Sequence, residues 1–140
     1  MEVLGRLNEA SQLIVRERQA PIFSGYGLQP GEFDVLATLR RAAPQTGLTP
    51  TALFEATMMS SGGMTARIDR LEKAGLVERG PHPSDRRATL VKLTVKGFDL
   101  IDGMMSIHER TAQEILSPLS REEQTLLNGL LARLVSGLNA

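Results

Sequence analysis

The residues between Leu48 and Thr94 constrain the fold more than any other part of the chain. Helix-start signals and helical periodicity occur twice in close succession, and two short apolar runs then flank a loop rich in proline. Helix, tight turn, second helix and hairpin is the order of a winged helix-turn-helix. The sequence therefore predicts a mainly α fold of the α+β class, with a small β-hairpin wing.

The first helix of this unit has clear start signals. Thr49 suits the N-cap position. Pro50 suits the first helical position, where its missing N–H group would have no partner in any case. We predict that Met58 and Met59 bridge the turn to the next helix.

Ser60 or Ser61 suits the N-cap of the second helix, which we predict from about Ser61 to about Ala74. Apolar residues recur along it at spacings of four and three, as in a helix with one face in the core. They are Met64, Ile68 and Leu71. Gly75 then stands where a C-cap glycine belongs.

The first turn of this second helix consists of small residues, although each glycine disfavours a helix by about 1 kcal/mol relative to alanine. A narrow helix end fits a DNA major groove about 12 Å wide, and its free N–H groups can meet phosphates. The alternative is an ordinary amphipathic helix with a frayed start. The DNA interpretation predicts contacts from Ser61, Gly62, Gly63, Thr65, Arg67 and Arg70.

Residues 76–79 and 89–93 are strand candidates, and the loop between them contains two prolines and a glycine. Arg86 and Arg87 make the end of this loop cationic, which suits insertion into a narrow minor groove. Asp85 precedes them, and we predict that its carboxylate orients an arginine through a charge-assisted hydrogen bond. A solvated surface loop is the alternative.

The same stretch resembles the DNA-binding core of the MarR family of bacterial transcription regulators. The matching residues are Ser60–Thr65, Arg67–Glu72, Gly75–Val77, Asp85–Arg87 and Val91–Thr94. The resemblance extends over the flanking helices and implies a homodimeric repressor on a pseudo-palindromic double-stranded DNA operator. It also implies that Arg86 enters the minor groove, while Arg87 pairs with Asp85 or with Asp69 of the second helix, so that both acids support the wing.

The chain has 140 residues, no cysteine and a formal net charge of zero. The length predicts one domain, and the lack of cysteine excludes disulfides and thiol-based redox sensing. Residues 61–96 carry eight basic residues against four acids, a net charge of +4, whereas residues 97–140 carry three against six, a net charge of −3. This distribution is expected of a DNA-binding lobe beside a separate assembly region.

The N-terminal part of the chain predicts two helices. The first runs from Glu2 to about Gln19 and should end at Pro21. The second runs from Pro30 to about Ala43. Arginines 40 and 41 near its end fit the helix dipole, and phosphate contact is the alternative.

The C-terminal part predicts two further helices with more apolar residues than one contact face needs. Thr94 suits the N-cap of a helix that ends near Ser117, and Ser120 and Glu123 form a capping box for the last helix. We therefore predict a single domain over residues 1–140. Within it, residues 30–96 form the DNA-binding lobe, and residues 1–22 with 97–140 form dimerisation helices.

Aromatic residues are rare, and two of them lie in the predicted loop over residues 22–28. They either plug the core or line a ligand cleft, for which the wall candidates are Phe23, Tyr26, Phe33 and Phe98. Family members that sense urate-like ligands use a tryptophan in the first helix, and those that sense peroxides use cysteine. The chain has neither, so the resemblance leaves an uncharged or phenolic aromatic ligand.

Other functions find little support in the sequence. There is no catalytic constellation, so we predict that the chain is not an enzyme, and we see no cofactor or metal site. His82 lies in the wing, where phosphate contact is one option, and His108 falls on an apolar stripe. No apolar run is long enough to cross a membrane, and no signal peptide is visible, which predicts a cytoplasmic protein. The alternative function is a winged-helix protein-interaction module without DNA binding.

Overall fold

The computed structural model describes residues 2–57 and 61–140. The turn predicted at Met58 and Met59 lies outside the described residues, and so do the side chains of the cap predicted at Ser60 or Ser61. In chain order the elements are α1 (Glu2–Leu13), a π-helical segment (Ile14–Gln19), α2 (Ala20–Gly25), α3 (Glu32–Ala42), α4 (Pro50–Thr57), α5 (Ser61–Lys73), β1 (Val77–Pro81), β2 (Thr89–Leu93), α6 (Val95–Leu116) and α7 (Arg121–Leu138). The mainly α fold with one hairpin agrees with the prediction.

Two compact units divide the chain, one ending at Ser106 and the other beginning at Ile107, so the boundary falls inside α6. The core of the first unit consists of side chains from α3, α4, α5, the hairpin and the start of α6. Its most deeply buried members are Val35, Leu36, Leu39, Leu53, Ile68, Leu71, Val77, Val91, Ile101 and Met104. Burying each such side chain contributes about 1.5–3 kcal/mol, so these residues hold the helix-turn-helix together.

The N-terminal helical region differs from the prediction, because helix does not end at Pro21. The π-helical segment widens the turn before the proline, and the Ala20 N–H donates to the Val15 carbonyl, five residues back. Pro21 then falls in the first turn of α2, where a missing N–H group breaks no hydrogen bond. The predicted loop over residues 22–28 is consequently helical as far as Gly25.

The hairpin is antiparallel, with Val77 opposite Leu93 and Arg79 opposite Val91. Leu48 adds a short bridge to its other edge, since the backbone groups of Leu48 and Val91 exchange two hydrogen bonds of 2.8 and 2.9 Å. Gly47 permits this approach, because its φ is +85° and an added Cβ would lie 2.6 Å from the Val91 carbonyl oxygen. The bridge attaches the segment before α4 to the wing.

The predicted helix starts at Thr49 and Thr94 are confirmed. The Thr49 hydroxyl accepts from the Ala52 N–H at 3.1 Å, and the Thr94 hydroxyl accepts from the Gly97 N–H at 3.0 Å. Gly97 lies so close to the carbonyl of Leu76 that a Cβ there would overlap it. Helix α6 is thereby held against the start of the hairpin.

In the second unit, the predicted capping box at the start of α7 is present. The Ser120 hydroxyl accepts from the Glu123 N–H at 3.1 Å, and the Glu123 carboxylate accepts from the Ser120 N–H at 2.9 Å. The hydrogen bond from the Ser120 backbone holds the pKa of Glu123 below its usual value. No residue of α7 is buried within the chain.

Candidate nucleic-acid interface

Helix α5 rests on the core through one face and exposes the other. Met64, Ile68 and Leu71 are almost fully buried, whereas Thr65 is exposed near the N-terminal end. At the other end the Leu76 N–H donates to the Leu71 carbonyl, the bond of a Schellman cap, and Gly75 has the left-handed φ of +76° that this cap uses. The predicted recognition helix therefore has a defined rotation and a defined end.

Two arginines of α5 contact the turn that precedes α3. Arg67 donates from Nε to the Pro30 carbonyl at 2.9 Å and from Nη1 to the Gly63 carbonyl at 3.1 Å. Arg70 donates from Nη2 to the Gly27 carbonyl at 3.0 Å. Both side chains were predicted to contact DNA. The N–H groups that donate to these carbonyls are already used within the protein.

Glu32 is the acid that holds Arg70. Its carboxylate accepts from Nε of Arg70 at 2.9 Å and from the Gln29 N–H at 2.6 Å, and the residue is only 1% exposed. A carboxylate buried to this degree needs such partners, because leaving it unpaired would cost several kcal/mol. Arg70 therefore links α5 to the start of α3. A guanidinium has five N–H donors, so the DNA contacts predicted for Arg67 and Arg70 stay predictions.

Arg79 of β1 joins the wing to α5. It donates from Nη2 to Asp69 at 2.6 Å and from Nη1 to Glu72 at 2.8 Å. Burial acts to lower the pKa of Arg79, but the hydrogen bonds and charges of the two acids raise it overall. Arg79 was not predicted from the sequence as a structural or site residue. The signal was available, since acids three apart share a helix face and a basic strand follows soon after.

The partner expected for Asp69 must therefore be corrected. The resemblance implied that Arg87 of the wing pairs with Asp85 or with Asp69, whereas Asp69 forms its ion pair with Arg79. Arg79 is favoured because the strand leaves α5 directly through the Gly75 cap and brings its side chain back over the helix. Support of the wing by Asp69 thus runs through the strand rather than through the loop.

Arg86 and Arg87 lie in the exposed loop between the strands. Within the described part of the chain, neither guanidinium has a hydrogen-bond or ion-pair partner. The Asp85 carboxylate accepts from the backbone N–H of Arg87 at 2.9 Å, and the Asp85 carbonyl accepts from the Ala88 N–H at 3.2 Å. The expected bond from Asp85 to a guanidinium is therefore replaced by a bond to the loop backbone, which is the nearer donor in a tight turn.

The four aromatic candidates for a ligand pocket occupy different surroundings. Phe23 and Phe33 stack on each other with ring centroids 4.6 Å apart, and Phe33 is buried in the core. Tyr26 is exposed. Phe98 lines a cavity of about 380 Å³, together with Pro44, Gln45, Leu93, Thr94, Val95 and Asp99.

Arg40 provides a further link in the first unit. It donates to Asp102 of α6 from Nε at 3.1 Å and from Nη2 at 2.6 Å. The described residues contain no group of three or more histidines or acids that could hold a metal ion. None of the helices over these residues is long and apolar enough to cross a membrane.

Comparisons with known proteins agree with this geometry. A model of the MarR family matches residues 26–88, which include α3, α4, α5, β1 and the whole wing loop. The HTH-type transcriptional regulator PecS of Dickeya dadantii is 42% identical over 133 residues, which are 95% of this chain and 80% of PecS.

Solved structures extend the likeness to the whole chain. A mutant MarR from Escherichia coli in complex with operator DNA is 28% identical and has a TM-score of 0.77, over 95% of this chain and 91% of that one. BpsR of Bordetella bronchiseptica is 25% identical and has a TM-score of 0.80, over 96% and 99% of the two chains. The chain is therefore a DNA-binding transcription regulator that belongs to the MarR family.

Proposed function

We propose that this regulator is a repressor that binds a pseudo-palindromic operator as a homodimer and is released by a small aromatic ligand. Residues 30–96 would form the DNA-binding lobe, and residues 1–22 with 97–140 would hold the two copies together. Because operator binding requires access to the chromosome, the protein would act in the cytoplasm. The observation that carries the homodimer is the exposed apolar row of α7.

That row consists of leucines spaced four residues apart, which places them on one face of the helix. Leu126 is 64% exposed, Leu130 50% and Leu134 43%, and Leu138 continues the row. Burying this face would remove several large apolar side chains from water, at about 25 cal/mol per Å². A second copy of the same face is the partner that a two-fold axis provides.

Changing Leu130 to glutamate tests the homodimer directly. The charge would have to be buried in the seam, so we expect Leu130→Glu to convert the dimer into a monomer at micromolar concentration, measured by light scattering after gel filtration. Ala132→Glu is the control, since Ala132 is exposed on the opposite side of α7. A wild-type protein that is monomeric and folded at that concentration would disprove the homodimer.

On DNA, we propose that the small first turn of α5 enters the major groove and that the wing loop reaches the minor groove. Ser61, Gly62, Gly63 and Thr65 would lie nearest the bases or phosphates. The guanidinium groups of Arg86 and Arg87, which have no partner among the described residues, support the wing contact, and they disfavour a protein-interaction module without DNA binding. Two recognition helices should lie about 34 Å apart, one turn of the duplex. Footprinting of the intergenic DNA upstream of the regulator's own gene should then show a protected inverted repeat.

Thr65→Ala separates base recognition from general affinity. We expect it to relax the choice among bases by about 1–3 kcal/mol for each lost base contact, measured on operator variants in titrations at one salt concentration. A general loss of affinity with unchanged base preference would assign Thr65 to the phosphate backbone instead.

The ligand proposal is supported by the Phe98 cavity and by one relative. Regulation of DNA binding by 6-hydroxynicotinic acid is described for BpsR. In this chain, Phe98 offers an aromatic wall in a cavity of about 380 Å³, a volume that admits a small ring. Phe23 and Phe33 already stack on each other and leave no room for a ligand ring between them, so we place the ligand beside Phe98.

A thermal-shift screen of small aromatic acids and phenols tests the ligand, with operator release as the second measurement. A ligand of this site should raise the melting temperature of the wild type and of Tyr26→Ala, but not that of Phe98→Ala. Stabilisation that persists in Phe98→Ala would place the ligand elsewhere. Release of DNA without stabilisation would indicate competition for the DNA surface.

A further inference from the structure

His82 opens the wing loop, and its ring is bonded to the backbone of that loop. Nδ1 accepts from the backbone N–H groups of Ser84 and Asp85, both at 3.1 Å. The Ser84 hydroxyl lies 3.3 Å from the same nitrogen. Across the loop, the His82 N–H donates to the Ala88 carbonyl at 3.3 Å. One residue therefore organises both ends of the segment that carries the wing arginines.

These contacts determine where the ring carries its hydrogen. A ring nitrogen that accepts two N–H groups has no hydrogen of its own, and a neutral imidazole has one in total. The hydrogen of His82 must then be on Nε2. Within the described residues Nε2 has no hydrogen-bond partner, and the ring is half-buried. The loop thus presents one uncharged donor close in sequence to Arg86 and Arg87.

We propose that His82 is a positioning residue of the wing whose Nε2–H also donates to a phosphate oxygen of DNA, an inference that rests on the wing contact proposed above. Nδ1 shapes the loop, and its two bonds fix the tautomer that makes Nε2 a donor. A phosphate oxygen is the acceptor expected there, because about half or more of protein–DNA hydrogen bonds go to phosphate and sugar.

This role differs measurably from that of a wing arginine. An arginine at a phosphate releases a counterion, so its loss reduces the salt dependence of binding by about one unit. An uncharged donor releases none, and its loss lowers affinity without changing the salt dependence. The distinction separates a hydrogen bond from His82 from a general effect of positive charge on the loop.

Two substitutions separate the two ring nitrogens. His82→Asn keeps an acceptor bonded to Cγ, in the place of Nδ1, but lacks the distant donor. His82→Gln keeps a donor one bond further out, near the place of Nε2, but lacks the acceptor at Cγ. Asparagine is also well suited to accept backbone N–H groups two residues ahead, as this loop requires.

The test is titration of duplex DNA from the footprinted operator with the full-length protein over a range of salt concentrations. We expect His82→Asn to weaken binding about two- to tenfold with an unchanged salt slope, as for one lost neutral hydrogen bond. His82→Gln should weaken binding by more than tenfold and reduce the slope, because Arg86 and Arg87 lose their placement. Arg86→Ala is the reference for a loss of about one unit of slope.

A second measurement does not depend on DNA or on any substitution of His82. Nitrogen-15 NMR of the free wild-type protein at about pH 8, where an ordinary imidazole is neutral, should show His82 with its hydrogen on Nε2. A His108→Gln variant assigns the two histidine signals.

Either of two results would overturn the inference. One is a hydrogen on Nδ1 of His82, and the other is His82→Gln binding DNA as tightly as His82→Asn. Failure of the wild type to bind any duplex would instead refute the proposed wing contact and the donor role with it, while the NMR result would still decide whether Nδ1 shapes the loop.

Discussion

Two pairs of arginines, one on α5 and β1 and the other in the wing loop, differ in whether their side chains have partners within the protein. Arg70 of α5 and Arg79 of β1 each donate to carboxylates at 2.6–2.9 Å. Arg86 and Arg87 have no side-chain partner within the described part of the chain. The first pair links α5 to the start of α3 and to β1, whereas the second pair lies in the exposed loop between the strands.

The difference lies in the acceptors. Glu32 is buried, so its carboxylate depends on Arg70. The wing loop has one acid, Asp85, and its carboxylate is occupied by a backbone N–H. A positive charge near a recognition helix is therefore poor support for DNA contact until its protein partners are known. Replacing each arginine in turn tests whether the two pairs have these different roles.

Arg70→Ala should have the largest effect on stability. Among the described residues, it leaves the buried Glu32 carboxylate with only the Gln29 N–H as a donor, which we expect to cost about 2–3 kcal/mol. Urea denaturation measures this cost. Lys73→Ala is the control, because Lys73 is an exposed basic residue of the same helix, and its loss should stay within about 0.5 kcal/mol. Equal losses of unfolding free energy in the two variants would show that Arg70 contributes no more than an exposed basic residue.

Arg79→Ala should have a smaller effect, about 1 kcal/mol, because the two ion pairs are partly exposed and screened by solvent. High salt should reduce the difference from wild type. Lys92→Ala removes a looser pair, with Lys92 Nζ 3.5 Å from Glu78, and should change the free energy of unfolding by less than about 0.5 kcal/mol. Identical unfolding midpoints for the two variants would contradict a special role for Arg79.

Arg86→Ala should leave stability within about 0.5 kcal/mol of wild type but weaken binding to all DNA sequences. The slope of binding against salt should fall by about one unit. Arg121→Ala makes the same change of charge at the start of α7 and should leave that slope unchanged. If both variants lower the slope equally, net charge rather than the wing contact explains the effect.

The two Asp85 substitutions should have the smallest effects on DNA affinity, and their effects should have opposite signs. Asp85→Asn keeps an acceptor for the Arg87 N–H and removes a negative charge, so binding should become tighter by about 0.5 kcal/mol. Asp85→Ala removes the acceptor too, and we expect weaker binding by about 0.5–1 kcal/mol. Titration of operator DNA measures both. Tighter binding by Asp85→Ala would show that the charge outweighs the turn.

Much of the fold was predictable because its signals are local. Caps at Thr49, Thr94 and Ser120 each use a side chain that bonds to a backbone group three residues ahead. Gly75 ends α5 because a left-handed φ is easy only for glycine. Such interactions involve neighbours in sequence, so residue type and spacing are enough to predict them.

The outcomes that the sequence mispredicted or left open depended on distant contacts or on alternative local solutions. A proline lacks the N–H group that a helix interior needs. At Pro21 the preceding turn is widened, so the helical region continues past the proline. Phe23 could plug a core or line a cleft, and its stacking on Phe33 was decided by the packing of α2 against α3. Neither outcome follows from composition or periodicity.

By itself the sequence determined the order of helices and strands, the ends of most of them and the position of the basic wing loop. Only the tertiary structure decided which arginines have protein partners. Arg79 meets Asp69 ten residues back, and Arg70 meets Glu32 thirty-eight residues back. The physical reason is that an ion pair depends on distance in space and on burial of its acceptor, and chain folding sets both.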